Sequence, residues 1–415
     1  AWSLHLEDES RLAGIPEAPM RRFREKARSE GLDGYLLSLD FPSFEAVVKH
    51  GSDRSLRKQV HEAYVSRCRG GPYDNTGLIR EILDIRGRIA RLLGFEDFPD
   101  YRLEQHMAKT GEKARSFVAD LVARTHPYWA RDIEELEDHA RSLGIDRLEP
   151  WDVSYISERR RKARFDIDDE ALRPYFPLPA VEAGLYELVH KVFGLTVTER
   201  SAEGVWHPDV RVFEIHDEDG THLATFYADW FPRPEKRQGA WMNPLATGGP
   251  IPDGGFEPHL GFIGGNFTPP DGDAPALLTH REVQTLFHEF GHLLHHAVSR
   301  IPVRGRSGLN VPWDFVELPS QLMENWTWEK KAVDLFARHW ETGEPLPDEM
   351  FARLLSARRF MGGKGQMRQL SFGSMDLDLH TEFDPERDED LLGWIEDRLA
   401  PFSPTRAFAE RNIAT

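Results

Sequence analysis

The sequence has little of what secreted and membrane proteins usually carry. It contains a single cysteine, Cys68, in 415 residues, so no disulfide can form within the chain. A lone cysteine favours a reducing compartment, and we expect a cytoplasmic location. No apolar run approaches the ~20 residues that a membrane-spanning helix needs. These absences argue against a disulfide-stabilised secreted domain and against a membrane protein.

Positively charged residues are also fewer than negatively charged ones. Lys and Arg total 52 against 70 Asp and Glu, which gives a formal net charge of −18. A strongly acidic chain is a poor partner for nucleic acid or for an anionic membrane surface. The basic run Arg159–Lys162 lies in a helical pattern, and we interpret it as a solvated helix face. We expect a monomer whose partners are neither nucleic acid nor membrane.

The periodicity of apolar residues changes along the chain. Residues 16 to about 194 show mostly helical patterns, including predicted helices at Leu56–Arg69, Gly77–Leu93 and Glu112–Leu143. Between residues 196 and 268 the pattern becomes strand-like. The predicted strands are Val210–His216, Thr221–Trp230 and Leu260–Phe267, the first two joined by the turn Asp217–Gly220. From Thr279 onward the chain is helical again.

The segment His288–His292 spells H-E-x-x-H inside the apolar helical stretch Val283–Val298. Residues four apart lie on one face of a helix, so His288 and His292 can direct two imidazoles at one metal ion. Glu289 lies on a neighbouring face, where it can hold a water molecule. Two histidines and a glutamate in this order are typical of a zinc hydrolase, usually a peptidase.

A chance occurrence of this motif has to be considered, because the chain is rich in His and Glu. The local context favours a metal site instead. Thr279 and Glu282 form a predicted capping box, and most of the helix circumference is apolar. Buried histidines and glutamates need polar partners, and a metal ion can serve all of them.

The third ligand must come from outside this helix. A metzincin would need Gly at position 295 and His at position 298, which hold His295 and Val298. His295 and His296 are more simply interpreted as surface or hydrogen-bonded histidines. The alternative is a glutamate on a following helix.

The stretch Trp313–Trp326 offers such a glutamate. Glu317, Gln321 and Glu324 are spaced as one polar stripe on an otherwise apolar helix, which suggests a face turned inward. We predict Glu317 as the third metal ligand. Glu324 or Asp314 would orient a ligating imidazole.

These residues carry a resemblance. The segment Phe287–His292, followed by Glu317 within Val316–Gln321, resembles the thimet-oligopeptidase family of zinc metallopeptidases. Further stretches agree with the same family: 39–43, 92–95, 239–242, 266–267 and 275–280. The resemblance implies one zinc ion per chain bound by His288, His292 and Glu317, with Glu289 as the general base.

The resemblance also implies a fold and a substrate class. We expect a mainly α, neurolysin-like zincin fold, with a deep cleft between helical walls that admits short peptides and a small antiparallel sheet near the active site. The predicted domains are a helical wall domain, 1–194, and a catalytic zincin domain, 195–415. The second contains the sheet, 196–268, and the zinc-site helices, 279–331.

Members of that family are longer at both ends. After a stretch resembling Phe402–Pro404 they continue into a Gly- and Tyr-rich loop that contacts substrate, and no position here matches it. We therefore expect an interior portion of such an enzyme, with weak or no activity by itself.

The preferred function is a zinc-dependent endo-oligopeptidase. The alternatives are a catalytically silent zincin-fold protein that binds peptides, a dipeptidyl carboxypeptidase of the same family, and a helical structural protein without metal. Cobalt or manganese could occupy the same ligands.

Overall fold

The computed structural model describes residues 2–165, 169–201, 204–252, 254–270, 272–388 and 390–405. The fold is mainly helical, as predicted. Its α-helices are, in chain order, α1 (Glu17–Ser29), α2 (Phe41–His50), α3 (Arg54–Val65), α4 (Thr76–Leu92), α5 (Phe98–Leu103), α6 (Gly111–Ser142), α7 (Pro150–Phe165), α8 (Asp169–Leu172), α9 (Leu178–Phe193), α10 (His280–Ala297), α11 (Trp313–Glu324), α12 (Lys330–Phe336), α13 (Asp348–Ala357), α14 (Gly362–Thr381) and α15 (Leu391–Leu399). No helix within these ranges is long and apolar enough to cross a membrane.

The described strands form one five-stranded sheet and two two-stranded sheets. They are β1 (Ser3–Leu6), β2 (Tyr35–Ser38), β3 (Thr196–Arg200), β4 (Arg211–His216), β5 (His222–Asp229), β6 (Trp241–Ala246), β7 (Gly249–Pro250), β8 (Phe256–Glu257) and β9 (His259–Gly264). The predicted strands correspond to β4, β5 and β9, and the predicted long helix to α6. The sequence patterns did not predict β2 or β6.

The main sheet is mixed, whereas a small antiparallel sheet was predicted. Its strand order is β3-β4-β5-β9-β6. Three pairings are antiparallel, and β5 pairs with β9 in parallel. The parallel pairing arises because the chain leaves β5, forms β6 at the sheet edge and then returns to place β9 between them. The presence of a small sheet beside the motif helix is confirmed.

The chain divides into two compact units, 1–166 with 357–415, and 167–356. The late segment belongs with the first unit because α4, α14 and α15 share an apolar cluster that includes Leu83, Leu379 and Ile395. These bounds differ from the predicted domain division after residue 194, which stays a prediction. The last ten residues of that predicted second domain, 406–415, lie outside the described residues.

The motif helix α10 begins at the predicted capping box. The Thr279 hydroxyl accepts a hydrogen bond from the Glu282 N–H at 3.1 Å, and the Glu282 carboxylate accepts one from the Thr279 N–H at 2.7 Å. The helix then packs on the sheet, with the rings of Phe290 and Phe226 5.9 Å apart. Capping and burial together hold the motif in a rigid element.

Candidate metal centre

The helices α10 and α11 approach closely at Gly291. A Cβ atom added to Gly291 would lie 2.6 Å from the Ser320 Cα and 2.9 Å from the Pro319 carbonyl oxygen. Such distances are shorter than real side chains tolerate, so only glycine fits at this crossing. This crossing places α11 close to His288 and His292, which lie three residues before and one residue after Gly291.

The structure brings the three predicted ligands together. Glu317 Oε2 lies 3.2 Å from His288 Nε2 and 3.2 Å from His292 Nε2. The ligand atoms of the three residues lie within 4.8 Å of one another, and among the described residues no other group of three or more His, Cys, Asp or Glu does so. All three lie in the compact unit 167–356.

A second glutamate orients one imidazole. His288 Nδ1 lies 2.7 Å from Glu324 Oε1. Because an ionised carboxylate can only accept, Nδ1 carries the proton and donates it. In that neutral tautomer Nε2 carries no proton and can ligate a metal ion. Of the two orienting residues considered from the sequence, Glu324 is the one seen on an imidazole.

His292 is more deeply buried than His288, with 9% of its surface exposed. Burial, opposed by the nearby Glu317 carboxylate, lowers the pKa of His292, which keeps the imidazole neutral. Its Nδ1 is buried and has no hydrogen-bond partner in the described part of the chain. A neutral imidazole is the form that ligates a metal ion.

Glu289 lies beside the cluster and is buried, with 7% of its surface exposed. Burial, together with the neighbouring Glu317 carboxylate, raises its pKa to about 7, against the opposing effects of His288 and of the nearby Met242 backbone N–H. Met242 belongs to the edge strand β6. Glu289 thus lies close to His288, to Glu317 and to the backbone of the sheet edge.

The adjacent histidines have separate partners. His296 Nε2 lies 3.2 Å from the Ala246 carbonyl oxygen and is fully buried, and the His295 ring lies 6.0 Å from that of Phe315. The hydrogen-bonded role expected for His296 matches this environment. Burial lowers the pKa of His295, and burial together with His259 lowers that of His296 to about 4.

The exposure of α11 differs from the expectation of an inward polar stripe. Glu317 is about half exposed, at 48% of its side chain, while the buried residues of α11 are Ser320 and Met323. Phe315, Leu318 and Leu322 are exposed. The close crossing with α10 explains this difference, because it buries the face of α11 that carries the small residue Ser320. Sequence reasoning missed Ser320 and the Met242 N–H, although Ser320 lies within a stretch that resembles the family.

Comparison with known proteins places the chain in a family. The model of peptidase family M3 matches residues 47–404, which is most of the chain. The chain belongs to peptidase family M3. The resemblance to the thimet-oligopeptidase family is thereby confirmed.

Relatives of this M3 chain include oligopeptidase A from Escherichia coli (strain K12), 41% identical over 398 residues. The alignment covers 94% of this chain and 58% of that protein. Dipeptidyl carboxypeptidase from the same organism is 32% identical, with 94% and 57% covered. The chain thus spans less than two thirds of the length of the relatives it matches.

A solved structure described as an oligoendopeptidase F shares the fold of the M3 chain. Its TM-score is 0.51 at 15% sequence identity, and the match covers 95% of this chain and 58% of the other. At this identity the likeness concerns the fold alone. It agrees with the zincin fold expected from the sequence.

Proposed function

We propose that this M3 chain carries the zinc centre of an endo-oligopeptidase that hydrolyses peptide bonds in short peptides. The observation that carries the proposal is the convergence of His288, His292 and Glu317, with Glu289 beside them. The single cysteine and the acidic composition support a cytoplasmic monomer.

The residues present fit a zinc ion. Two imidazole nitrogens and one carboxylate oxygen are a donor set that catalytic zinc takes, with a fourth position open to water. His288 is held in the ligating tautomer by Glu324, and His292 is kept neutral by burial. The short distances from Glu317 to both imidazoles support a shared metal position.

When bound, zinc would act as a Lewis acid toward a water molecule and the peptide carbonyl. Glu289 would accept a proton from that water at its carboxylate and pass it to the leaving amine. Burial raises the pKa of Glu289, which favours proton uptake by its carboxylate.

The edge strand β6 suggests how a peptide would bind. Among the described strands it pairs with β9 alone, and Glu289 lies near the backbone of its residue Met242. An extended peptide can add to such an edge by main-chain hydrogen bonds. Such binding would place the peptide backbone beside Glu289. It would not depend on the side chains of the peptide.

Two other functions remain open to test. A peptide-binding protein without turnover would share the same group of His288, His292 and Glu317. A dipeptidyl carboxypeptidase is suggested by the relative of that name. The peptide-binding protein would bind peptides in the presence of zinc and release no product.

The test is hydrolysis of internally quenched short peptides by the 415-residue chain, with zinc and with a chelator. Cleavage that the chelator abolishes and that Glu289→Gln removes without loss of zinc would support the endo-oligopeptidase. Release of C-terminal dipeptides alone would indicate the carboxypeptidase. A chain that binds no zinc, or a Glu289→Gln variant with full turnover, would refute the proposed site.

A further inference from the structure

Ser320 lies where the two zinc-site helices cross, and its hydroxyl faces the predicted third ligand. It has no exposed surface. Its Oγ lies 2.8 Å from Glu317 Oε2 and 2.9 Å from the Glu317 carbonyl oxygen. The hydroxyl has one proton to donate, and the charged carboxylate is the stronger acceptor of the two.

The oxygen that Ser320 contacts is the same oxygen that faces both imidazoles. Glu317 Oε2 lies 3.2 Å from each histidine Nε2. Without such a contact, a half-exposed glutamate would sample several rotamers, and fixing one of them costs conformational entropy. A donor three residues later in the same helix lies on the same face and can supply that restraint.

We infer that Ser320 is a positioning residue that holds the Glu317 carboxylate in its ligating orientation. The inference rests on the proposed zinc site and adds a residue to it. Position 320 has to be small because Gly291 packs against its Cα, and it has to donate a hydrogen bond. Serine meets both demands, whereas alanine meets only the first.

A simpler role must be separated from this one. Buried serines in helices often donate only to the carbonyl three or four residues earlier. Ser371 in α14 is such a case, fully buried with its Oγ 2.6 Å from the Arg368 carbonyl oxygen. Ser371→Ala is therefore a matched control for the loss of a buried helical hydroxyl.

The experiment measures zinc affinity by competition with a chromophoric chelator, and the melting temperature of the metal-free protein. The variants are Ser320→Ala, Ser371→Ala, Glu317→Ala and the double variant Glu317→Ala/Ser320→Ala. We expect Ser320→Ala to weaken zinc binding about 10-fold or more, the range seen when groups that orient ligands are removed. Ser371→Ala should leave zinc affinity unchanged.

The double variant decides whether Ser320 acts through Glu317. Once Glu317 is removed, loss of the Ser320 hydroxyl should cost no further zinc affinity, which is the signature of coupled residues. Equal zinc affinity of Ser320→Ala and the unaltered chain would overturn the inference and leave the zinc site standing. An equal loss in both backgrounds would also overturn it. An unaltered chain that binds no zinc would instead refute the proposed function.

Discussion

At the scale of single residues, the tautomer of His288 depends on one hydrogen bond. The Glu324 carboxylate accepts from Nδ1 and leaves Nε2 free to ligate. Groups that orient a ligating histidine also raise its basicity. The same ring without that acceptor could take either tautomer or rotate.

We expect Glu324→Ala to weaken zinc binding about 10- to 100-fold, because the His288 imidazole loses its orienting acceptor. Chelator competition measures the affinity. Asp314→Ala is the comparison, since Asp314 was the other orienting residue considered from the sequence. Equal losses in the two variants would contradict the assignment to Glu324.

The ligands themselves could be predicted because their geometry is local. His288 and His292 share one helix face whatever the rest of the fold does. Glu317 could be proposed from a following helix, although its half-exposed position was not foreseen. Ser320 was not assigned: its spacing from Glu317 is local, but its complete burial depends on the close approach of α10 to α11, which no spacing within one helix encodes.

At the scale of elements, the crossing of α10 and α11 sets the ligand geometry. We expect Gly291→Ala to force these helices apart, because the added Cβ would lie 2.6 Å from the Ser320 Cα. The cost should be about 1–3 kcal/mol of stability, with weaker zinc binding as well. Denaturant unfolding and chelator competition measure the two effects.

The control for this substitution is Gly373→Ala within α14. A Cβ added there would meet only Val118 Cγ2, at 3.9 Å, among the described residues. Since glycine in a helix interior costs about 0.5–1 kcal/mol relative to alanine, this variant should be neutral or more stable. Similar behaviour of the two variants would show that the crossing tolerates a larger residue.

The turn between β5 and β6 is fixed by a buried carboxylate. Asp229, 1% exposed, accepts hydrogen bonds from Arg233 at 2.9 and 2.7 Å, from Lys236 at 2.8 Å and from Trp206 at 3.0 Å. Burial alone would raise the pKa of Asp229, but these hydrogen bonds together outweigh it and lower the pKa to about 2. The network anchors the segment that leads into the edge strand β6.

We expect Asp229→Asn to destabilise the protein by about 3–5 kcal/mol at neutral pH, because it leaves the buried Lys236 without its counter-charge. The folded pKa lies below the ordinary value of 3.8, so the stabilisation is complete above pH 3.8 and is lost as the pH falls through about 2. The difference in melting temperature between Asp229→Asn and the unaltered chain should be constant from pH 6 to about pH 4 and should narrow between pH 4 and pH 3.

Asp120→Asn is the control for this pH series. Asp120 is half exposed and pairs with Arg124 on the surface of α6. Surface ion pairs contribute little to stability, so this variant should melt like the unaltered chain throughout. A difference for Asp229→Asn that stays constant down to pH 3, or widens, would contradict the assigned network.

The elements that sequence patterns missed have physical explanations. Strand β6 has no alternation of apolar and polar residues, and it contains Pro244. Proline is tolerated in edge strands because one side of the strand needs no hydrogen-bond donor. Its position at the edge follows from pairing with β9, which comes later in the chain. The parallel pairing of β5 and β9 is likewise a property of the whole sheet.

At the scale of the whole molecule, the proposed centre lies entirely within the compact unit 167–356. A ligand that binds only the folded state stabilises it, by about 2.7 kcal/mol at 100 times its Kd. The helices that carry the ligands, α10 and α11, should be stabilised most. We therefore expect zinc to slow hydrogen exchange most strongly in α10 and α11.

Hydrogen exchange followed by mass spectrometry tests this expectation, with and without zinc at 100 times the measured Kd. Peptides from α10 and α11 should gain protection, and peptides from α3 and α6 in the other unit should change little. His292→Ala, which removes a proposed ligand, should abolish the gain. Equal protection of both units would show that zinc binding is coupled to the entire chain. Protection in the His292→Ala variant would place the metal elsewhere.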